Sequence, residues 1–167
     1  MSIPSRHGRV PGTYFVTSRT WESRKLFVID ATCEVFVETL VKYRELGEFT
    51  LHAFVLMPDH FHALLTPAQD KTLERCVQMI KGGSAHTIRT ERSMTFPVWQ
   101  RGFSDHRIRD AADLENHIRY IEMNPVKARL VSDTREYRWS SVSAAVALDE
   151  VPQGLKPVPR VASVRHG

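Results

Sequence analysis

The chain has 167 residues, which is long enough for one domain with an apolar core of its own. Its apolar fraction of 42% and its charged fraction of 25% are typical of a soluble globular protein. The 23 Lys and Arg residues exceed the 19 Asp and Glu residues, and the net charge of +4 is compatible with a nucleic-acid partner without identifying one.

The cysteine count and the apolar segments exclude several classes of protein. Cys33 and Cys76 are too few for a disulfide framework or a four-cysteine metal site, and both lie in helical patterns, so we expect buried thiols. No segment approaches the ~20 apolar residues of a membrane span, and residues 1–12 lack the apolar core of a signal peptide. We therefore expect a soluble protein of the reducing cytoplasm.

Periodicity and local signals predict seven elements along the chain. Segments rich in β-branched and aromatic residues favour strands, whereas apolar residues at helical spacing behind a capping Asp favour helices. In chain order the predictions are a strand over 13–20, a helix from Asp30 to Gly47, strands over 49–57 and 60–66, a helix over about 70–92, a strand within 96–109 and a helix from Asp110 to Asn124. Pro58 and Asp59 suit the centre of a tight turn, so the second and third strands are predicted to form a hairpin.

Glycine and proline mark two special positions in the predicted helices. Gly82 and Gly83 interrupt the second helix at a cost of about 1 kcal/mol each relative to alanine. Such a pair indicates a kink or the close approach of another backbone segment. Pro125 disfavours helical geometry at the residue before it, so we expect the last helix to end at Asn124.

The order of the elements predicts an α+β fold. The succession β-α-β-β-α-β-α gives a ferredoxin-like, or RRM-like, sandwich in which helices cover one face of a central antiparallel sheet. We expect the other face of the sheet to be open to a partner. The predicted organisation is a flexible N-terminal arm over 1–12, a single domain over 13–150 and a flexible C-terminal tail over 151–167.

Two histidines open the third predicted strand, in the segment MPDHFHALL. Because side chains alternate along a strand, His60 and His62 project from the same face, with Phe61 on the other. This spacing suits two neutral imidazoles that bind one metal ion, but chance HxH pairs are common in a chain with eight histidines, so satisfied core histidines are the alternative. We expect four other histidines to have structural or surface roles: His52, His86, His106 and His117. The alternative is that they contact a metal ion or a phosphate.

The last predicted helix carries a second polar pair, in the segment RYIEMNPVKARLV. Tyr120 and Asn124 lie four residues apart and therefore share one helix face. They are offset from the apolar stripe that Leu114, Ile118 and Ile121 form. The alternative interpretation is a tyrosine at the rim of the core, followed by an asparagine that ends the helix.

Basic and aromatic residues are interleaved in the same half of the chain. A track of positive charge with stacking surfaces is what a single-stranded nucleic-acid site requires, although each such residue alone is more often a surface or core residue. The basic residues predicted to bind nucleic acid are Arg101, Arg107, Arg109, Arg119, Lys127 and Arg129, and the aromatic residues among them are Trp99, Phe103 and Trp139.

The two principal motifs, in this order, resemble the single-tyrosine HUH transposases, in which two histidines flank a bulky apolar residue. The sequence is most similar to the REP-associated tyrosine transposases of bacteria. The resemblance also covers TYFVTSRT, IKGGSAH, FSDHRIRD and RWSS, and it spans roughly residues 10–142. Two positions depart from the pattern, because Asp59 stands where asparagine is frequent and Arg129 stands where glycine is frequent.

The resemblance implies a sandwich with an added catalytic Tyr helix, and a DNA-nicking mechanism. His60 and His62, with Asn124 as a third ligand, would hold a Mg²⁺ or Mn²⁺ ion that orients and polarises the scissile phosphate. Tyr120 would attack the phosphorus, form a 5′-phosphotyrosine and release a 3′-hydroxyl, so that strands can be rejoined without ATP. Imidazole ligands suit Mn²⁺ better than Mg²⁺.

The partner implied by the resemblance is single-stranded DNA that contains REP-like hairpins, with no membrane contact. The implied location is the bacterial cytoplasm, at the nucleoid when DNA is bound, and a monomer is favoured over a dimer. Two other classes of function stay open: a non-catalytic nucleic-acid-binding module on the same fold, and a metal-dependent hydrolase that activates water and forms no covalent adduct.

Overall fold

The computed structural model describes residues 11–156, which form a four-stranded antiparallel sheet and three α-helices. The bounds are β1 Tyr14–Arg19, α1 Asp30–Glu45, β2 Phe49–Met57, β3 His60–Pro67, α2 Leu73–Glu91, β4 Ser104–Arg107 and α3 Ala111–Lys127. The strands lie in the order β2-β3-β1-β4. This arrangement confirms the predicted α+β sandwich. None of the helices in the described part of the chain is long and apolar enough to cross a membrane.

The β2–β3 hairpin forms as the sequence predicts. Met57 pairs with His60 across the turn, which Pro58 and Asp59 make. Almost the whole length of β2 is buried, because helices or chain segments cover both faces of the sheet at this strand. The turn therefore presents the start of β3, with its two histidines, at one end of the sheet.

Helices α1 and α2 pack on the first face of the sheet, where Phe36 of α1 and Ile80 of α2 lie in one core with Phe61 of β3. Helix α2 runs without interruption through its glycine pair. A Cβ atom on Gly83 would lie 2.9 Å from the Cε2 atom of Tyr43, so this glycine permits the close approach of α1 rather than a kink. The same core contains the two cysteines as buried thiols, as predicted: Cys33 and Cys76.

Helix α3 lies on the second face of the sheet, so the prediction that this face is open is wrong for the area that α3 covers. Leu114 and Ile121 of α3 form a second core with Val55 and Leu64 of the sheet. The physical reason is that α3 has its own apolar stripe, which must be buried, while α1 and α2 already occupy the first face.

The predicted arm and tail extend beyond the described residues at both ends. Positions 1–10 of the arm and 157–167 of the tail lie outside them. The first six positions of the tail contain a short 3₁₀ helix, Gln153–Leu155, and Val151 and Leu155 pack against the second core. The domain boundary near residue 150 stays a prediction.

Helix α3 continues to Lys127, so the predicted end at Asn124 is wrong. Pro125 is buried in the last turn, where packing of its ring offsets the backbone hydrogen bond that proline cannot make. The helix ends in a Schellman motif, in which the Arg129 N–H donates to the Val126 carbonyl and the Leu130 N–H donates to the Pro125 carbonyl, both at 3.0 Å. The φ angle of 59° at Arg129 lies in the left-handed region, where glycine would be unstrained.

The segment after α3 closes the outer edge of β2. The Leu56 N–H donates to the Trp139 carbonyl at 2.8 Å, and the Ser141 N–H donates to the Phe54 carbonyl at 2.9 Å. Farther along, the carboxylate of Asp149 accepts another backbone N–H of β2 at 2.8 Å. These bonds hold residues 139–149 along the edge of the sheet.

Candidate active site

His60 and His62, which we call the strand histidines, project from the face of the sheet that carries α3, and their ring centroids are 4.8 Å apart. The Nδ1 atom of His60 lies 2.7 Å from Oδ1 of Asp59, and the Nδ1 atom of His62 lies 2.7 Å from Oγ1 of Thr17 on β1. If both Nδ1 atoms donate a proton to these oxygens, both Nε2 atoms keep a free lone pair. That tautomer is the one in which two imidazoles can bind a metal ion through Nε2.

The Nε2 atom of His62 is a buried polar atom with no hydrogen-bond partner in the described part of the chain. The residue is 5% exposed, and this burial, with smaller contributions from His60 and Arg19, lowers the pKa of His62 to about 3. The imidazole is therefore neutral at physiological pH, which is the form that binds metal ions. Because an unpartnered buried polar atom costs free energy, a ligand here would be stabilising. The donor set thus fits a divalent metal ion.

Helix α3 brings Tyr120 beside the strand histidines. The Tyr120 and His62 ring centroids are 5.3 Å apart, and Phe15 of β1 contacts both rings, at 5.8 Å and 5.1 Å respectively. Tyr120 is 43% exposed, and the Nζ atom of Lys127 lies 5.9 Å from its ring. The other three tyrosines are buried or half-buried elsewhere in the fold: Tyr14, Tyr43 and Tyr137. Only Tyr120 therefore combines exposure with a contact to the histidines, as the sequence predicts.

Asn124, the predicted third ligand, lies one turn after Tyr120 on the same helix and is half-buried. Side chains four residues apart on a helix are neighbours, so Asn124 belongs to the helix surface that carries the tyrosine. Its side chain makes no hydrogen bond within residues 11–156, and its assignment as a ligand stays a prediction.

A cleft of about 360 Å³ adjoins the strand histidines. Its lining includes Thr17, Arg19, Gln100, Arg101, Phe103 and Ser104. Thr17 contacts His62, and Arg19 pairs in register with His60, so two of the lining residues are neighbours of the strand histidines. Arg19 is not among the basic residues that the sequence predicts to bind nucleic acid. Side chains alternate along β1, so Arg19 lies on the same face as Thr17, and this alternation could have indicated its place in the cleft. All six predicted basic residues are exposed.

The prediction of an aromatic stacking surface at Trp99 is wrong. Trp99 is 7% exposed, its ring stacks on Phe27 at a centroid distance of 5.2 Å, and its indole N–H donates to Ser84 Oγ at 3.0 Å. A large aromatic ring gains more from burial in the core than an exposed position would allow. Phe103 and Trp139 are half-buried against the same core.

A second histidine cluster lies where α3 begins. His106 of β4 and His117 of α3, which we call the carboxylate-linked histidines, stack at a centroid distance of 4.7 Å. His106 Nε2 lies 2.8 Å from Oδ2 of Asp113, and His117 Nδ1 lies 2.8 Å from the backbone carbonyl oxygen of Asp113 and 3.2 Å from Oδ1 of its buried carboxylate. Burial tends to raise the pKa of Asp113, but hydrogen bonds from the Arg109 N–H and from His106 outweigh it and lower this pKa. Phe15 contacts His117 at 4.8 Å, so its ring touches both histidine clusters.

The sequence was compared with models of known protein families, and one family matches the part of the chain that forms the site. The sequence model of the family described as "Transposase IS200 like" matches residues 13–124, which include both histidine clusters and Tyr120. The chain belongs to the IS200-like transposase family. It is thus an enzyme that moves DNA, and the resemblance to tyrosine transposases is confirmed.

Relatives of this transposase support the same assignment. It is 25% identical to the REP-associated tyrosine transposase of Escherichia coli K12 over 152 residues, or 87% of this chain and 86% of that protein. A relative from Haemophilus influenzae is 28% identical over 152 residues, or 85% of this chain and 86% of that protein. A solved REP-associated tyrosine transposase, bound to a REP hairpin, has the same fold, with a TM-score of 0.70 and 23% identity over 95% of this chain and 99% of that one.

Proposed function

We propose that this transposase nicks and rejoins single-stranded DNA through a covalent 5′-phosphotyrosine intermediate, in a reaction that requires a divalent metal ion. The observation that carries the proposal is the 5.3 Å contact between the rings of Tyr120 and His62. This contact joins the predicted nucleophile on α3 to a predicted metal ligand on β3. A module that only binds nucleic acid has no use for such a pairing.

The strand histidines would hold the ion through their Nε2 atoms, with Asn124 as a third ligand. Asp59 and Thr17 would keep both imidazoles in the required tautomer, because each places an oxygen that can accept a proton 2.7 Å from one Nδ1 atom. When bound, a divalent ion supplies Lewis-acid polarisation of the scissile phosphate. Imidazole nitrogen favours Mn²⁺ over Mg²⁺ for this role.

The phenolate oxygen of Tyr120 attacks the phosphorus and forms a Tyr–O–P bond, while the bond between the phosphorus and the 3′ oxygen breaks. The departing 3′ oxygen takes up a proton and becomes a 3′-hydroxyl. The Nζ atom of Lys127 lies 5.9 Å from the centroid of the Tyr120 ring, so a positive charge stands beside the proposed nucleophile. Because the phosphotyrosine is still a phosphodiester, another 3′-hydroxyl can attack it and join two strands.

The proposed substrate is single-stranded DNA that contains an imperfect, REP-like hairpin. Arg19 and Arg101 line the cleft beside the strand histidines, and positive charge there would attract a phosphate backbone. The hairpin bound by the structurally similar transposase supports a hairpin substrate for this chain as well. The proposal extends to a monomer that acts in the bacterial cytoplasm, at the nucleoid when DNA is bound.

The test uses a hairpin oligonucleotide labelled at its 3′ end, because a 5′-phosphotyrosine retains the 3′ fragment on the protein. After incubation with Mn²⁺, a denaturing gel should show a labelled protein–DNA band. Tyr120→Phe should remove this band, and Tyr43→Phe, a tyrosine in α1 away from the histidines, should preserve it. Binding without cleavage would favour the non-catalytic module. Cleavage that survives Tyr120→Phe would favour a hydrolase that uses water.

A further inference from the structure

The carboxylate-linked histidines and Asp113 form a second group with the geometry of metal ligands. One possible ligand atom from each of His106, Asp113 and His117 lies within 4.8 Å of the other two. Asp113 is 7% exposed, and both histidines are half-buried. Strand β4 supplies one of these residues and helix α3, which follows it directly in the chain, supplies the other two, so the group bridges a strand and the next helix.

The donor set and the distances suit a transition-metal ion. Two imidazoles and one carboxylate are a frequent ligand set for Zn²⁺ and related ions. Bonds of about 2.1 Å in a tetrahedral site place ligand atoms about 3.4 Å apart. The observed separations are 2.8 Å between His106 Nε2 and Asp113 Oδ2, and 3.2 Å between His117 Nδ1 and Asp113 Oδ1. Small side-chain shifts, together with loss of the proton that His117 Nδ1 donates to the Asp113 carbonyl oxygen at 2.8 Å, would open the site for an ion.

The backbone around the carboxylate fixes its position before any ion binds. The Arg109 N–H donates to Oδ2 of Asp113 at 2.9 Å. The backbone N–H of Asp113 in turn donates to Oδ1 of Asp110, the N-cap of α3, at 2.8 Å. Ligands that are held by such outer contacts bind metal more tightly than mobile ones. The central ligand of the group is thus pre-oriented by the start of the helix.

We propose that His106, Asp113 and His117 form a second divalent-cation site, of the Zn²⁺-binding type, which ties β4 to the first turns of α3. The proposed cleavage mechanism does not use this site. His117 lies one turn before Tyr120, and Phe15 contacts both residues, at 4.8 Å and 5.8 Å. An ion held here would fix the helix that carries the nucleophile, so these ligands position Tyr120 through α3.

The test is a zinc titration of the full chain in which the strand histidines have been replaced, His60→Ala with His62→Ala. Calorimetry should find one Zn²⁺ bound per chain, and bound zinc should raise the Tm. Adding Asp113→Asn should weaken zinc binding at least about 100-fold and remove the Tm shift. Asparagine retains an oxygen that can accept the Arg109 N–H, so this variant removes the negative charge of the ligand and preserves the backbone contact. His106→Asn provides a second variant for the same comparison.

The matched control is His86→Ala, because His86 is an exposed histidine on α2, outside both clusters. It should leave the zinc stoichiometry and the Tm shift unchanged. Co²⁺ in place of zinc should give a visible absorption band in the double alanine variant, and His117→Ala should abolish it. Absence of zinc binding in the double alanine variant would overturn the proposal. So would zinc binding that survives both Asp113→Asn and His106→Asn.

Discussion

The two histidine clusters both touch Phe15, yet their ring nitrogens meet different surroundings. The Nδ1 atom of His60 is hydrogen-bonded to Asp59, and the Nδ1 atom of His62 is hydrogen-bonded to Thr17. The Nε2 atom of His62 has no partner among residues 11–156. The carboxylate-linked histidines share the buried carboxylate of Asp113. The first cluster has a buried nitrogen without a partner among the described residues, whereas the histidines of the second cluster bond to Asp113 and would exchange hydrogen bonds for metal bonds. The clusters differ because one buried carboxylate contacts both histidines of the second cluster, whereas Asp59 contacts only His60 in the first.

The largest expected effect separates the two clusters by their role in catalysis. His62→Ala should lower the single-turnover rate of DNA cleavage about 10³-fold, or ~4 kcal/mol, because it removes a proposed ligand beside the reacting phosphate. His117→Ala should lower the same rate by at most about 10-fold, because it acts only through the position of α3. Rates come from quenched samples of labelled hairpin DNA on denaturing gels. Equal losses in the two variants, with unchanged circular dichroism, would contradict the distinction.

The second effect distinguishes the two clusters by how the free energy of unfolding depends on pH, measured in EDTA so that no metal ion is bound. Burial lowers the pKa of His62 from 6.5 to about 3, so the unfolded chain binds more protons than the folded chain between these values. The free energy of unfolding should therefore fall as the pH falls from 6.5 toward 3, by at most about 1.4 kcal/mol per pH unit. The pKa of Asp113 is lowered from 3.8, so its contribution is present above pH 3.8 and lost only below it.

Urea unfolding of the wild type and of His62→Gln at several pH values measures this effect. The slope between pH 6.5 and pH 4.5 should be smaller in the variant. Some slope should remain, because burial also lowers the pKa of His52. Asp113→Asn should leave the slope in this window unchanged. Identical slopes in the wild type and in His62→Gln would refute the pH assignment.

The third effect concerns the ring that both clusters share. Phe15→Ala should destabilise the fold by about 2 kcal/mol, less than the loss of a fully buried phenylalanine, because the ring is half-buried. It should also lower DNA cleavage, because Phe15 packs against both Tyr120 and His62. Phe15→Leu retains most of the apolar volume and should cost about half as much. Urea unfolding checks the stability, and a neutral Phe15→Ala would show that the ring supports neither cluster.

The smallest effect tests the far end of α3, away from the carboxylate-linked cluster. Arg129→Gly should raise the free energy of unfolding by about 1 kcal/mol, because glycine adopts the φ of 59° without strain. The same variant should weaken DNA binding and make it less dependent on salt, because one exposed cation is lost. Arg129→Ala removes the charge and keeps the strain, so it should weaken binding without the gain in stability. Thermal unfolding and binding at two salt concentrations separate these outcomes.

Local sequence patterns predict the parts of the site that depend on neighbouring residues. The turn at Pro58 and Asp59 and the alternation of β3 lie within a short segment, so the hairpin and the shared face of the strand histidines are predictable. The helical spacing of Tyr120 from the apolar stripe is equally local. Local patterns cannot predict that the helix with Tyr120 packs beside the strand with the histidines. The family resemblance supplied that link, and the contact between Tyr120 and His62 agrees with it.

The carboxylate-linked cluster could not be predicted in the same way. His106 and His117 are close in sequence, but the positions of their rings also depend on the pairing of β4 with β1, about ninety positions away, and on the packing of α3 on the sheet. The one local signal was the spacing of four residues between Asp113 and His117 on one helix, which many helices share. The burial of Trp99 and the placement of α3 on the second face are tertiary outcomes of the same kind. The extension past Asn124 reflects packing of Pro125, which overrides a local backbone preference.

The backbone bonds that residues 139–149 make along β2 have a consequence for self-association. A sheet with free edges can add strands of other molecules, which leads to pairing between copies or to aggregation. Here β2 is one edge of the sheet, and bonds at Leu56, Phe54 and Asp149 already occupy part of its hydrogen-bonding row. The other edge is β4, which is only four residues long. The chain thus protects itself against edge-to-edge aggregation on one side and offers very little strand on the other.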